Sequence, residues 1–284
     1  MTDASTWREV LSDTAAALGD EREARFICEH AAGLNASEFA GAIDEQLTQR
    51  MGLHVQEMTR RRLAGEPLQY VMGRWAFRHL DLMVDRRVLI PRSETELVAE
   101  AALTIARTCA APRVVVDLGT GSGAIGLSLA HELPLDGTTV WLTDTSADAL
   151  DVARANLAGI GRAGSNVRVA QGSWYAALPT SLRGSIDVIV TNPPYIAIDD
   201  PQVEQIVAQH EPHQALYAGA DGLDAIREIV ADAPVWLRGG GALVCEIGHR
   251  QGEAVRELMI AAGLHDPEVR QDFLGRDRIA LARR

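Results

Sequence analysis

The sequence predicts an α/β protein: a doubly wound, mostly parallel sheet, preceded by a small helical bundle and a β-hairpin linker. Three observations lead there. Residues 1 to about 74 carry apolar side chains at helical spacing with few glycines. From Glu94 onward, short β-branched runs alternate with helical stretches, the pattern of parallel strands covered by helices on both faces. A glycine-rich turn, Asp117 to Gly123, follows the first of those strands, and ligands of such sheets sit beyond the strands' carboxyl ends.

The bundle rests on Trp7, Val10, Leu11 and Ala15, then on Phe26-Ile27, Ile43 to Leu47, and Val55, Met58 and Leu63. The pattern changes near Gly65-Glu66-Pro67. Residues 75–91 partly alternate, through Phe77, Leu80, Leu82 and Val84 and then Val88 to Ile90, and read as a β-hairpin linker. Helices are expected at Glu94 to about Ala106, Ser122–Glu132, about Asp148–Ala158, Ala225–Leu237 and Gly252–Ala262. Strands are expected at Arg113–Leu118, Thr139–Thr143, Val167–Ala170, Ile186–Val190 and Ala242–Ile247, with a closing pair at Val269–Phe273 and Arg278–Ala282. The domains follow: 1–74 helical, 75–93 linker, 94–284 the α/β body.

Composition narrows the classes. The 284 residues are 47% hydrophobic, enough for a full core. The net charge of −12, from 39 acidic and 27 basic residues, argues against tight non-specific binding to nucleic acid. Every basic residue is Arg, and the one dense run, Arg60-Arg61-Arg62, reads as a solvated helix end. Cys28, Cys109 and Cys245 form no CxxC pair, which fits a reducing compartment and no zinc site. The start, MTDASTWREV, has neither a basic nor an apolar leader region, and no apolar run approaches a membrane span. A soluble cytoplasmic protein is expected. His210-Glu211-Pro212-His213 has metal-ligand residue types but no partner cluster, so no metal is expected.

Two motifs carry chemistry. In Asp117-Leu118-Gly119-Thr120-Gly121-Ser122-Gly123 the glycines permit a tight turn and close approach of a ligand, and the following helix should offer free N–H groups. Gly121, Gly123 and Gly126 also spell the dinucleotide fingerprint, and Asp144, after the next strand, could hold an adenosine ribose in either class of cofactor. The second motif, Asn192-Pro193-Pro194-Tyr195, ends a buried strand. An amino-group methyltransferase must orient an NH2 group and keep lone-pair density on its nitrogen, which acceptors for the two N–H bonds accomplish. Asn192 offers a side-chain carbonyl and Pro193 a backbone carbonyl with no N–H. Tyr195 offers a flat face to a planar amide or base. A hydride-transfer partner for a dehydrogenase is not evident.

With these residues in view, the chain resembles class I S-adenosylmethionine-dependent methyltransferases. Glu66 to Tyr70, Leu89 to Glu96, Glu211 to Leu216 and Glu246 to Gly252 are similar to the HemK/PrmC family, which methylates the glutamine side chain of peptide chain release factors. The resemblance implies that Gly119, Thr120, Gly121, Ser122 and Gly123 wrap the methionine part of S-adenosylmethionine. It implies that Asp144 holds the ribose, that Ser173 and Trp174 lie beside adenine, and that Asn192 to Tyr195 hold the glutamine amide, with Asn192 and Pro193 in the catalytic role. Class-1 release factors are the implied partners, docked through the helical domain, with no nucleic acid and no membrane. Two departures stand out: Ser173 where the family often has Asp, which should weaken adenine recognition, and Ser93 in place of a frequent Pro, which should loosen the linker. NPPY is shared with N6-adenine and N2-guanine methyltransferases, so a nucleic-acid amino methyltransferase is the alternative.

Overall fold

The computed structural model describes residues 5–201 and 204–284. The chain forms two compact units, Met1–Arg74 and Trp75–Arg284.

The first unit is built from α1 (Trp7–Leu18), α2 (Glu21–Ala32), α3 (Ala36–Gly41), α4 (Gln49–Leu63) and α5 (Leu68–Met72). Local chemistry sets the helix starts. Thr6 with Glu9, and Asn35 with Glu38, form reciprocal capping boxes, and Asp20 and Thr48 cap α2 and α4. Trp7, Ile27, Phe39, Val55 and Met58 form the core. The arginine run is fully paired: Arg60 with Glu57, Arg61 with Glu66 and Arg62 with Glu23. Its charge is thereby largely neutralised at the surface of the bundle.

The second unit begins with the hairpin of β1 (Arg74–Phe77) and β2 (Leu80–Met83). Its strands are shorter than the sequence suggested. Residues 84–92 form a loop, and Val88–Ile90 is not a strand. The reason is local: Val88 N–H turns back to Asp85 O, Ile90 N–H goes to the Glu211 carboxylate, and Pro91 has none to give. Asn156 clamps the hairpin's end. Its amide exchanges bonds with both backbone groups of Met83 and donates to Ser122 O at 2.8 Å. The hairpin is thus tied directly to the glycine turn.

Beyond it follow α6 (Ser93–Thr108), β3 (Arg113–Leu118), α7 (Ala124–Glu132), β4 (Thr138–Asp144), α8 (Ala147–Gly159), β5 (Val167–Gln171), β6 (Ile186–Thr191), α9 (Gln205–His210), α10 (Asp224–Trp236), β7 (Leu237–Glu246), α11 (Gly252–Ala261), β8 (His265–Gln271) and β9 (Asp277–Arg283). Among the described residues the sheet has seven strands in the order β5-β4-β3-β6-β7-β9-β8. All pairings are parallel except those of β9, which runs antiparallel between β7 and β8. The central strands are apolar throughout because both faces are covered. Val115, Val188, Val190 and Val244 pack with α6 and α7 on one face, while Val116, Ile189, Leu243 and Cys245 pack with α10 and α11 on the other.

Strand register aligns the carboxyl ends. Leu118 pairs with Thr143 on one side and Thr191 on the other, and Thr191 pairs with Cys245. Strand order reverses at β3, so the glycine turn leaves the sheet at its topological switch point. Ser93 stands at the first helical position of α6. Pro is favoured there because its missing N–H is not needed and its φ is already helical; Ser lacks that second advantage, yet α6 still starts at Ser93. Strand β7 begins five residues before the expected Ala242, because Leu237 pairs with Ile186 ahead of a bulge.

Candidate active site

Asp117 organises the turn from beneath. Fully buried near the end of β3, it accepts the Thr120 hydroxyl at 2.6 Å and Gly126 N–H at 2.9 Å. Burial pushes its carboxyl up to about 7, against the pull of those two bonds. Asp144 works from the side. One oxygen accepts Gly121 N–H and the other accepts Ser146 N–H, both at 2.9 Å. Its carboxyl is also raised by burial, with the backbone N–H groups opposing.

These bonds limit the expectation of free N–H groups at two positions. Gly121 and Gly126 N–H are each taken by a carboxylate of the protein. They also weigh against the dinucleotide reading. A pyrophosphate is bound by open N–H groups at a helix N-terminus, whereas here that end of α7 already holds a carboxylate and a second lies beside the turn. The arrangement suits a neutral or cationic ligand. Gly126 has its own reason to be glycine: a Cβ there would lie 2.1 Å from Leu142 Cδ2. Gly119 has another, with φ of 68° and a Cβ position 3.3 Å from the Trp174 ring.

A cavity opens over the turn. Gly119, Thr120, Gly121, Ser122, Asp144, Ser173, Trp174 and Asn192 all lie on its wall, as do Pro194 and the 84–92 loop through Arg87, Val88, Leu89 and Pro91. Gly123 does not; it caps α7 with φ of 87°. Thr120 spends its hydroxyl on Asp117, a structural bond. Trp174 adopts a positive φ of 43°, and its indole N–H donates to Glu228 at 2.9 Å, which holds the ring against Gly119. Ser173 is exposed.

A second cavity shares Leu89, Asn192 and Ala215 with the first, and Tyr195, Gly248, Gln251, Arg92 and Arg276 lie on its wall. Asn192 therefore stands where the two spaces meet. Pro193 is buried and lies on the wall of neither. Tyr195 backs the second cavity, with its hydroxyl tied inward to Glu246 at 3.2 Å. Gln251 fastens this segment by donating to Tyr195 O at 3.0 Å while accepting Gly248 N–H at 2.8 Å.

Beneath Asn192 runs a buried polar chain. Asn192 Nδ2 donates to Thr95 Oγ1 at 3.2 Å, and Thr95 donates to Glu246 Oε2 at 2.7 Å. Arg278 reaches the Tyr195 hydroxyl at 3.4 Å. Burial pushes Glu246 up to about 7, while Thr95, Arg278 and Tyr195 favour its charged form. Glu211 is a further buried acid. It accepts Ile90 N–H and pairs with Arg92, fixing the 84–92 loop over the first cavity. Its place in the His-Glu-Pro-His stretch is thus structural, and among the described residues no three His, Cys, Asp or Glu side chains converge to hold a metal. Sequence reasoning gave no role to Thr95, Asp117 or Glu211. The usable signal was an acid or hydroxyl within the family-like segments, or an acid closing an apolar strand, as Asp117 and Glu246 both do.

Residues 98–259 match the model of the methyltransferase small domain, and residues 8–73 match the PrmC N-terminal domain. A release factor glutamine methyltransferase of Xylella fastidiosa is 46% identical over 228 residues, covering 80% of each chain. One of Burkholderia pseudomallei is 42% identical over 267 residues, covering 93% of this chain and 92% of its own. A methyltransferase structure from Pyrococcus furiosus shares the fold, with a TM-score of 0.50 at 18% identity over 79% of this chain and 95% of that one. Both parts of the chain, and nearly its whole length, are accounted for by one family: the protein belongs to the release factor glutamine methyltransferases.

Proposed function

We propose that the protein transfers a methyl group from S-adenosyl-L-methionine to the side-chain amide nitrogen of the glutamine in the GGQ motif of class-1 release factors. The observation that carries this reading is the position of Asn192, at the junction of the two cavities and held from below by Thr95. The cavity over the glycine turn fits the cofactor. Asp144 uses two of its roughly four acceptor sites on Gly121 and Ser146, which leaves two for the ribose hydroxyls. Trp174, fixed by Glu228 and Gly119, offers a ring beside the adenine. Ser173 retains a hydroxyl at the exposed rim. When bound, the cofactor supplies an electrophilic methyl group on a sulfonium and leaves as S-adenosyl-L-homocysteine.

The chain's own residues do the rest. An amide nitrogen is a poor nucleophile because its lone pair is delocalised, the same resonance that gives peptide bonds a rotation barrier of about 18–20 kcal/mol. Alignment therefore carries much of the catalysis. Asn192 Oδ1 accepts one N–H bond; the Pro193 carbonyl, on the wall of neither cavity in this structure, must turn toward the amide to accept the other, and the two stabilise the positive charge that develops as nitrogen bonds to carbon. Pro194 and Tyr195 complete the wall around the amide. The helical unit supplies contacts to the folded release factor, and work on a translation factor supports a cytoplasmic location. The test is mass spectrometry of a release factor incubated with the protein and isotope-labelled methyl donor. A labelled methyl on the GGQ glutamine is expected; label on nucleic acid and none on the factor would refute the reading.

A further inference from the structure

The substrate amide needs an acceptor from Asn192, yet an asparagine side chain presents either an oxygen or an NH2 group depending on which way it is turned. The surrounding hydrogen bonds decide between them. Thr95 has one hydroxyl hydrogen. The Thr95 oxygen lies 2.7 Å from Glu246 Oε2, and the other Glu246 oxygen receives the Tyr195 hydroxyl. Above its pKa of about 7 the Glu246 carboxylate is ionised and only accepts. The Thr95 hydrogen is therefore committed, and Thr95 Oγ1 can only accept from Asn192. Oδ1 turned that way would set two oxygens facing each other at 3.2 Å. Nδ2 must take that place, which turns Oδ1 toward the junction of the cavities.

We propose that Thr95 is a positioning residue for methyl transfer: committed as a donor to Glu246, it locks Asn192 with Oδ1 facing the glutamine amide. The inference rests on the reading that Asn192 holds that amide. The parts come from three elements. Thr95 lies in the first turn of α6, Glu246 ends β7, and Asn192 follows β6, the neighbour of β7. Thr95 and Glu246 are 4% and 1% exposed, and Thr95 lies on the wall of the first cavity beside Asn192, so the lock acts at the site itself. Without the lock, an inverted Asn192 would point N–H groups at a substrate NH2 group, which opposes the reaction instead of assisting it.

The experiment compares Thr95→Val, Thr95→Ser, Asn192→Ala and Thr95→Val/Asn192→Ala by single-turnover kinetics with saturating release factor at about pH 8, alongside cofactor titration. Asn192→Ala is expected to lower the methyl-transfer rate by about 10²-fold or more, the scale of one lost preorganised polar group. Thr95→Val should lower it by about 10-fold or more with cofactor affinity within about 3-fold of the parent, and Thr95→Ser should restore it. In the double variant Thr95→Val should add little to Asn192→Ala, because both remove the same interaction. Losses that multiply in the double variant, or a Thr95→Val rate within about 2-fold of the parent while Asn192→Ala is crippled, would overturn the positioning role. A near-normal Asn192→Ala rate would instead overturn the underlying reading of the site. Should Thr95→Val not fold, Thr95→Ala carries the same expectations.

Discussion

Replacing Gly126 by Ala should destabilise the α/β unit, although the same change in an exposed helix stabilises. Alanine's higher helix propensity contributes about 1 kcal/mol in its favour. Against that, the added Cβ would lie 2.1 Å from Leu142 Cδ2 and 3.0 Å from Asp117 Oδ2. Leu142 is fully buried in β4 and cannot swing away. Overpacking of this kind costs about 1–3 kcal/mol. Displacing Asp117 also weakens its bond from Gly126 N–H, a hydrogen bond to a charged group worth about 1.5–3 kcal/mol when lost outright. The net expectation is a loss of about 1–4 kcal/mol. At roughly 2–4 °C per kcal/mol for a unit this size, the melting temperature should drop by several degrees. Gly52→Ala is the matched control. That glycine lies inside α4, and its Cβ would meet only Leu47 Cδ1 at an ordinary 3.5 Å, so this variant should gain up to about 1 kcal/mol. Calorimetry of both variants checks the pair. A Gly126→Ala protein as stable as its parent would refute the packing argument for the third glycine of the fingerprint spacing.

Asp144→Ala should weaken S-adenosyl-L-methionine binding by about 30-fold or more, two charge-assisted bonds together being worth about 2–4 kcal/mol; an unchanged affinity by titration calorimetry in a folded variant would remove Asp144 from the site. Glu246 is raised to about 7 by burial, so the folded state keeps its proton to higher pH than the unfolded chain, and its contribution to stability falls as pH rises from about 4.5 to about 7 and is level above. Urea denaturation of parent and Glu246→Gln should therefore show the difference moving against the parent across that window by on the order of 3 kcal/mol; a difference independent of pH would refute it. An intact release factor should be methylated far faster than a short GGQ peptide, because contacts outside the loop orient the amide; equal rates would refute a docking role for the helical unit.

Much of the framework was legible because strand and helix periods differ. Arg113–Leu118 was read to the residue, since a run of β-branched residues before a glycine turn has one sensible fold. The hairpin linker was read through residue 91 because Val88 to Ile90 has strand composition, while what makes that stretch a loop, Glu211 taking Ile90 N–H, lies 121 residues away. Helix α9 escaped because Gln205–His210 is short and carries no cap signal. At the site, the turn and the NPPY segment are contiguous in sequence and were visible. The Thr95–Asn192–Glu246 chain joins residues 97 and 151 apart, and no local pattern reports such a meeting. The occupied N–H groups were missed for the same reason: spacing shows where glycines stand, not which carboxylate lies beneath them.

That last point bears on how the two cofactor classes separate. Gly121, Gly123 and Gly126 satisfy the dinucleotide spacing because both classes need a tight turn into a helix packed closely on the sheet. The glycines answer a steric demand and carry no information about ligand charge. Charge enters through Asp117 and Asp144, which take two N–H groups of this segment, those of Gly126 and Gly121. Asp117 rests in a buried place where burial raises its pKa to about 7, an expense in stability that the fold meets with the Thr120 and Gly126 bonds. A turn so arranged opposes a second anion and tolerates a cation beside it. The sulfonium of the proposed methyl donor is such a cation, and Asp144 is the acid that the cavity wall presents to the ligand.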